Sequence, residues 1–206
     1  MLLVGFSVGP IESNCYIVGC EETKEAAIVD PGAEAKRILS KAESLGVDIR
    51  YIILTHGHID HIGALAEVQR DTGAKVLIHA EDAGMLTDSG KNLSTYMGSL
   101  ITMKAADRLL QDGDVIKVGK ETIEVLHTPG HTRGGISLKC EAGILSGDTL
   151  FYGSIGRSDF PGGSHNQLIA SIENKLLKFP PETRVYPGHG PATTIGWERL
   201  HNPFLR

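Results

Sequence analysis

The sequence predicts an α/β fold in which two packed sheets carry helices on their outer faces. Three observations predict it. Strand-like runs fall into two blocks, one before residue 80 and one after residue 114, and each block is accompanied by helical stretches. Several of these apolar runs end in short loops that set histidine or aspartate beside glycine. Hydrophobic residues make up 41% of the chain and charged residues 22%, enough apolar material for a core without disulfide staples.

Leu2–Val8, Asn14–Cys20 and Ala26–Asp30 read as short strands separated by turns. Ile38, Leu39, Ala42 and Leu45 recur at helical spacing, so Ala33–Leu45 is a helix that Gly46 ends. Ile49–Thr55 is mostly apolar, as expected of a strand covered on both faces. Ile62–Thr72 is helical, ending near Gly73, and Lys75–Ala80 is the next strand, so residues 49–80 form a β-loop-α-β unit. Between Ala80 and Arg108 the pattern weakens, which predicts a short helix and a long, mobile loop. Strands return at Asp114–Gly119, Thr122–His127, Gly135–Lys139 and Gly143–Asp148. Asn166–Phe179 is an amphipathic helix with Leu168, Ile169, Ile172, Leu176 and Phe179 inward and Ser164 as N-cap. Arg184–Tyr186 is the last strand and Thr193–Leu200 a short terminal helix. No linker, repeat or low-complexity segment interrupts the 206 residues, which read as a single domain, 1–206.

The formal net charge is −5 and no Lys/Arg run occurs, which argues against a nucleic-acid or anionic-membrane partner. No stretch reaches the roughly 18 consecutive apolar residues of a membrane span. Met1–Val8 lacks a basic leader and reads as a strand, not a signal peptide. Three cysteines, Cys15, Cys20 and Cys140, form no framework and suggest reduced thiols and a cytoplasmic location. Cys15 reads as a small buried hydrophobe. The partner expected is a small molecule; monomer and homodimer both stay open. Loop 88–107 is apolar for a loop, with Tyr96, Met97, Leu100, Ile101 and Met103, and either covers the site or forms a dimer contact.

Thr55-His56-Gly57-His58-Ile59-Asp60-His61 is the most informative stretch. It follows a buried strand and opens a helix, where Asp60 is favoured by the helix dipole. Gly57 is expected to let the loop turn sharply so that His56 and His58 point the same way. His131 in Pro-Gly-His-Thr, Asp148 in Ser-Gly-Asp-Thr and His189 in Pro-Gly-His-Gly have the same setting, past an apolar strand and beside a glycine. Strand ends on one sheet edge are where α/β sites gather. Five histidines and two aspartates exceed the three protein ligands of a single catalytic zinc, and suit two metals with Asp148 bridging. The N/O shell suits zinc and would also accept iron or manganese. A water held between two such ions loses a proton near neutral pH and attacks an electrophilic carbonyl, with no serine or cysteine nucleophile.

These motifs resemble the metallo-β-lactamase superfamily, with His-X-His-X-Asp-His at 56–61 followed in order by His131, Asp148 and His189. The resemblance implies a four-layer αββα sandwich with a dimetal site at one edge. It implies that His56, His58 and His131 hold one metal, that Asp60, His61 and His189 hold the second, and that Asp148 bridges. Asp60 and Asp148 are then the catalytic carboxylates, and Asp30 supports the site without binding metal. Within the superfamily the chain is similar to glyoxalase II-like enzymes, which hydrolyse thioesters such as acylglutathiones. Gly156-Arg157-Ser158-Asp159-Phe160 and Tyr186-Pro187-Gly188-His189-Gly190-Pro191 are similar to a short bacterial form of that group. Full-length members carry a C-terminal helical domain with glutathione contacts; here 17 residues follow His189.

The zinc β-lactamases often place a cysteine where this chain has Asp148, which argues against antibiotic hydrolysis. A persulfide dioxygenase, with one iron on His56, His131 and Asp148, is the alternative from another reaction class; a lactone or other ester hydrolase is a third. Arg157 either binds a substrate carboxylate or braces its loop by pairing with Asp159 or Asp30. His127 reads as a structural hydrogen-bonding residue, His165 and His201 as helix-terminal surface residues, and Trp197 as the anchor of the last helix.

Overall fold

The computed structural model describes residues 1–205. Its first sheet runs in the order β1 (Leu2–Val8), β2 (Ser13–Gly19), β3 (Glu25–Val29), β4 (Asp48–Ile53), β5 (Lys75–His79) and β6 (Arg108–Leu110). The strands up to β3 pair antiparallel, and those from β3 onward are parallel. The second half supplies β7 (Val115–Val118), β8 (Glu121–His127), β9 (Ile136–Cys140) and β10 (Gly143–Gly147), then a small hairpin of β11 (Leu150–Phe151) and β12 (Ser154–Ile155). β13 (Arg184–Pro187) lies parallel to β10, and β14 (Thr193–Thr194) closes the edge, giving the order β7-β8-β9-β10-β13-β14.

Alternation along the strands sorts side chains into layers. Tyr16, Val18, Ala27, Val29, Ile53 and Leu77 of the first sheet meet Ile123, Val125, Leu138 and Leu145 of the second in a core between the sheets. The intervening residues Ile17, Ala26, Ile28, Ile52, Val76 and Ile78 face the other way. There they pack on α1 (Ala35–Leu45), α2 (Ile59–Ile62), α3 (Leu65–Thr72) and α4 (Ala83–Leu86). On the far side, Ile144 and Val185 pack on α5 (His165–Ser171), its wide-turn continuation Ile172–Leu176, and α6 (Ile195–His201). The result is the four-layer αββα sandwich expected. Each fully buried aliphatic side chain in these layers contributes about 1.5–3 kcal/mol.

The differences from the sequence reading have physical causes. α1 starts at Ala35, not Ala33, because Glu34 has left-handed backbone angles (φ 58°). The helix expected at Ile62–Thr72 is two helices, because the Asp30–Gly32 turn packs into the break. There the Ala64 N–H donates to Pro31 O at 3.0 Å, and a Cβ on Gly63 would stand 2.4 Å from Gly32 O. The α5 segment keeps its inward face but leaves regular α geometry after Ser171. β6, β11, β12 and β14 were not anticipated; two or three residues are too few to show alternation.

The short helix expected after Ala80 is α4. The loop beyond it carries a 3₁₀ turn at Ser94–Met97 and is tied by the buried Asn92, whose Nδ2 donates to Ile101 O at 2.9 Å and whose Oδ1 accepts from Ser94 N at 2.9 Å. Cys15, Cys20 and Cys140 are buried free thiols. Among the described residues no helix is long and apolar enough to cross a membrane.

Candidate metal centre

All seven side chains singled out from the sequence converge on one edge of the sandwich. His56, His58, Asp60 and His61 follow β4, His131 follows β8, Asp148 follows β10 and His189 follows β13. The edge is closed across the two sheets by Ile136 N–H to Thr55 O (2.9 Å) and Asn14 N–H to Gly188 O (2.6 Å). Ligand atoms of His56, His58 and His131 lie within 4.8 Å of one another, as do those of Asp60, His61 and His189. Asp148 stands between the two groups. Its Oδ1 is 3.4 Å from His61 Nε2, and its Oδ2 is 3.5 Å from His131 Nε2 and 3.7 Å from His189 Nε2. Such close approach needs Gly188, where a Cβ would sit 2.1 Å from Asp148 Oδ1.

A second set of contacts orients the rings. Asp30 Oδ2 lies 3.0 Å from His61 Nδ1 and accepts from Thr55 Oγ1 at 2.6 Å, while its Oδ1 accepts from Thr55 N at 2.7 Å. Asp30 also stands within reach of a third ligand group with His56 and His61. Its oxygens are already taken by Thr55 and His61, which fits the supporting role expected of it. His131 Nδ1 donates to Arg157 O at 2.6 Å, which turns Nε2 toward Asp148. Gly57 has no left-handed backbone angle. Its lack of a side chain serves packing instead, because a Cβ there would stand 2.5 Å from Met85 Cβ on α4.

Asp82 carried no signal in the sequence, since one acidic residue after a strand is common. It is buried and accepts from Thr132 Oγ1 at 2.6 Å and Gly134 N at 2.7 Å, with the Gly57 N–H also directed at it. It therefore joins the 56–58 loop to the loop that carries His131.

Two kinds of ligand environment result. Burial first, then the neighbouring rings, pushes His56 well below the ordinary histidine range and His58 down to about 3. Both are neutral at pH 7 and offer lone pairs, as metal ligation requires. Burial is also the largest influence on His61 and acts downward, but Asp148, Asp60 and Asp30 outweigh it and raise His61 to about 10. His189 is raised in the same way, against burial, by Asp60 and Asp148. Asp60 is held below the usual carboxylate range by His61 and His189, against burial. This second group thus gathers positive charge against its carboxylates, a role that a cation can take over.

The donor set fits metal ions on a further count. His56 Nε2, His61 Nε2 and Asp148 Oδ1 are buried with no hydrogen-bond partner. A buried polar atom without a hydrogen bond costs about 1–3 kcal/mol; His61 Nε2 and Asp148 Oδ1 face each other at 3.4 Å without forming one, and coordination would satisfy all three atoms together.

A cavity of about 550 Å³ opens onto the cluster, lined by His58, Asp60, His131, Asp148 and His189. Loop 88–107 reaches its wall through Leu93, Tyr96 and Met97. Arg157 also lines it and pairs with Asp159 in a fork (3.0 and 2.8 Å) while lying 4.1 Å over the Phe160 ring. Outside the cluster, His127 Nε2 donates to Arg133 O at 2.8 Å and its ring stacks on His79 at 4.0 Å, the structural role expected of it. Trp197 on α6 stacks on Tyr152 at 4.2 Å.

Residues 8–189 match the family model of the metallo-beta-lactamase superfamily. The chain belongs to that superfamily. As a class it is a metal-dependent hydrolase. It is 38% identical to the hydroxyacylglutathione hydrolase GloC of Haemophilus influenzae, over 96% of this chain and 95% of that one. The crystal structure of BLEG-1, a B3 metallo-beta-lactamase, superposes with a TM-score of 0.94 at 42% identity, covering 99% of each chain. TTHA1623, solved in a di-iron-bound form, superposes at 0.88 with 37% identity, covering 98% of this chain and all of that one.

Proposed function

We propose that this superfamily member is a dinuclear metal-dependent hydrolase of thioesters of the acylglutathione kind, built as one domain. His56, His58 and His131 would hold one divalent ion and Asp60, His61 and His189 the other, with Asp148, which stands between the two groups, as the shared carboxylate. The observation that carries this reading is the set of buried atoms on His56, His61 and Asp148 that have no hydrogen bond, gathered beside a cavity. Likeness to GloC supports the thioester, and the di-iron relative supports a pair of ions. Zinc is the first choice of metal for this N/O donor set, with iron and manganese accepted by the same atoms.

When bound, the ions supply Lewis acidity, polarising a carbonyl and acidifying water toward neutral pH. The residues do the rest. Asp60, kept ionised, sets a carboxylate oxygen 3.2 Å from His189 Nε2 at the cavity floor and orients the attacking water by accepting a hydrogen bond from it. Water adds to the carbonyl carbon, the C–S bond breaks, one of the water's protons passes to the departing thiolate, and the other leaves the new carboxylic acid for solvent, so a carboxylate and a thiol depart. Arg157, at the cavity wall, can exchange Asp159 for a substrate carboxylate.

Likeness to BLEG-1 favours a second reading, lactam hydrolysis, against the expectation drawn from Asp148 standing in place of a cysteine. A single-iron persulfide dioxygenase and a lactone or other ester hydrolase remain as further alternatives. Elemental analysis of the purified protein, followed by thioester, lactone, β-lactam and persulfide assays on the same sample, separates them. Two ions per chain and thioester turnover are expected, with Asp148→Ala losing at least one ion and 100-fold or more in kcat (about 3 kcal/mol). One iron per chain with oxygen uptake on a persulfide would sink the proposal.

A further inference from the structure

The cavity walls differ in chemistry from the ligand cluster at its floor. Ile11, Leu93, Tyr96, Met97, Phe151 and Phe160 line it. Phe160 lies 5.9 Å from the His58 ring and Phe151 lies 6.1 Å from the His189 ring, so an apolar side chain abuts each ligand group. Among the described residues that line the cavity, Arg157 is the only lysine or arginine, and its guanidinium is already forked on Asp159. A body carrying several carboxylates would find one guanidinium on the walls, shared with Asp159. An apolar body would find both walls complementary.

The wall from loop 88–107 is built as part of the site. Ile59, the first residue of α2, donates its N–H to Asn92 O at 2.9 Å, which fixes the loop to the helix carrying Asp60 and His61. The next residue, Leu93, holds a left-handed backbone (φ 67°) that leucine adopts only at a cost. Strain of that kind persists where the surrounding structure enforces it, and it gathers at ligand sites. Tyr96 and Met97 follow it and are more than half exposed, at 73% and 52%. Exposed aromatic and thioether side chains at the mouth of a catalytic cavity gain contact when a substrate covers them.

We infer that the substrate carries an apolar acyl or thiol group, of hexanoyl or phenyl size, seated between the Tyr96–Met97 turn and the Phe151–Phe160 wall. The inference rests on the hydrolase reading above and deepens it: within thioesters of that kind, the apolar group is what the cavity recognises, and the two carboxylates of a glutathione moiety are not. Specificity then comes from apolar contact beside the reacting carbonyl, with Arg157 serving at most one carboxylate.

The test is kcat/KM of the metal-loaded protein on thioesters that share one small neutral thiol, with acyl groups from acetyl to octanoyl. A hydroxyacylglutathione and a series of longer alkyl thiol acetates are run beside them. In one of the two series kcat/KM is expected to climb about threefold per methylene up to six carbons. Replacing both wall residues (Tyr96→Ser with Met97→Ser) should cut the six-carbon to two-carbon ratio about tenfold. Flat responses in both series, or a preference for the hydroxyacylglutathione over the hexanoyl thioester, would overturn the inference. If no thioester is turned over, the thioester reading falls by itself. Calorimetric binding of the acetate-to-octanoate carboxylates then decides the pocket, rising affinity with length supporting it and constant affinity refuting it. A double variant that changes the sedimentation of the protein but keeps the length dependence would assign the patch to a second copy of the chain, and would also refute it.

Discussion

Asp82 shows how much of a candidate ligand cluster can rest on a residue outside it. Its buried carboxylate satisfies Thr132 Oγ1 and Gly134 N across 50 residues of chain. Truncation to alanine strands both donors, so Asp82→Ala is expected to cost about 2–4 kcal/mol in urea unfolding. It should also weaken metal binding by His56, His58 and His131 by 10-fold or more. Asp82→Asn keeps one acceptor oxygen and should fall between the alanine variant and the parent. An Asp82→Ala protein with the parent's unfolding midpoint and metal affinity would show that the two loops hold themselves.

Residues of this kind are hard to read from a sequence. Asp30 was reached only through the family resemblance, and Asp82 not at all. A supporting hydrogen bond needs only a carboxylate in the right place, and that place is a property of the folded chain. The seven cluster residues were legible because glycine-flanked histidines and aspartates after apolar runs are rare as packing material.

At the scale of elements, long periodic segments were readable and short ones were not. α1 and the inward face of α5 follow from apolar spacing, whereas β6, β11, β12 and β14 each span two or three residues. The break between α2 and α3 lies within a continuous helical pattern and depends on the Asp30–Gly32 turn, which arrives from elsewhere in the chain. The turn from β2 to β3 carries a testable local strain. Lys24 adopts φ 61° while its own N–H and C=O bond to Cys20 O (2.9 Å) and Asp48 N (2.8 Å). Glycine takes that conformation freely. Lys24→Gly is therefore expected to raise stability by about 0.5–1 kcal/mol, read from the denaturant midpoint with catalysis unchanged. A lower midpoint would mean that the lysine side chain contributes more than its backbone costs.

For the whole molecule, the centre is also a joint. His56, His58, Asp60 and His61 come from the first sheet's connections, and His131, Asp148 and His189 from the second's. On the proposed metal assignment, ions bound there would fasten the two sheets and favour the folded state. At free metal a thousandfold above Kd, the linkage is worth about 4 kcal/mol, or about 10 °C in Tm for a chain of this size. Chelation should lower Tm by that amount and metal should restore it. An equal Tm with and without chelator would show that the sheets need no such fastening.

The kind of chemistry was open to reading in the linear chain, because ligation demands particular atoms and few residue types carry them. Alternation and helical spacing likewise announced two sheets with helices outside, since burial imposes those periods on any strand or helix. Folding alone brought Asp148 between two ligand groups, set Asp82 behind them, and raised apolar walls from Ile11 to Phe160. Those relations join residues separated by up to 149 positions. Distances of that kind arise from how layers pack against one another, and no local pattern of residues encodes them.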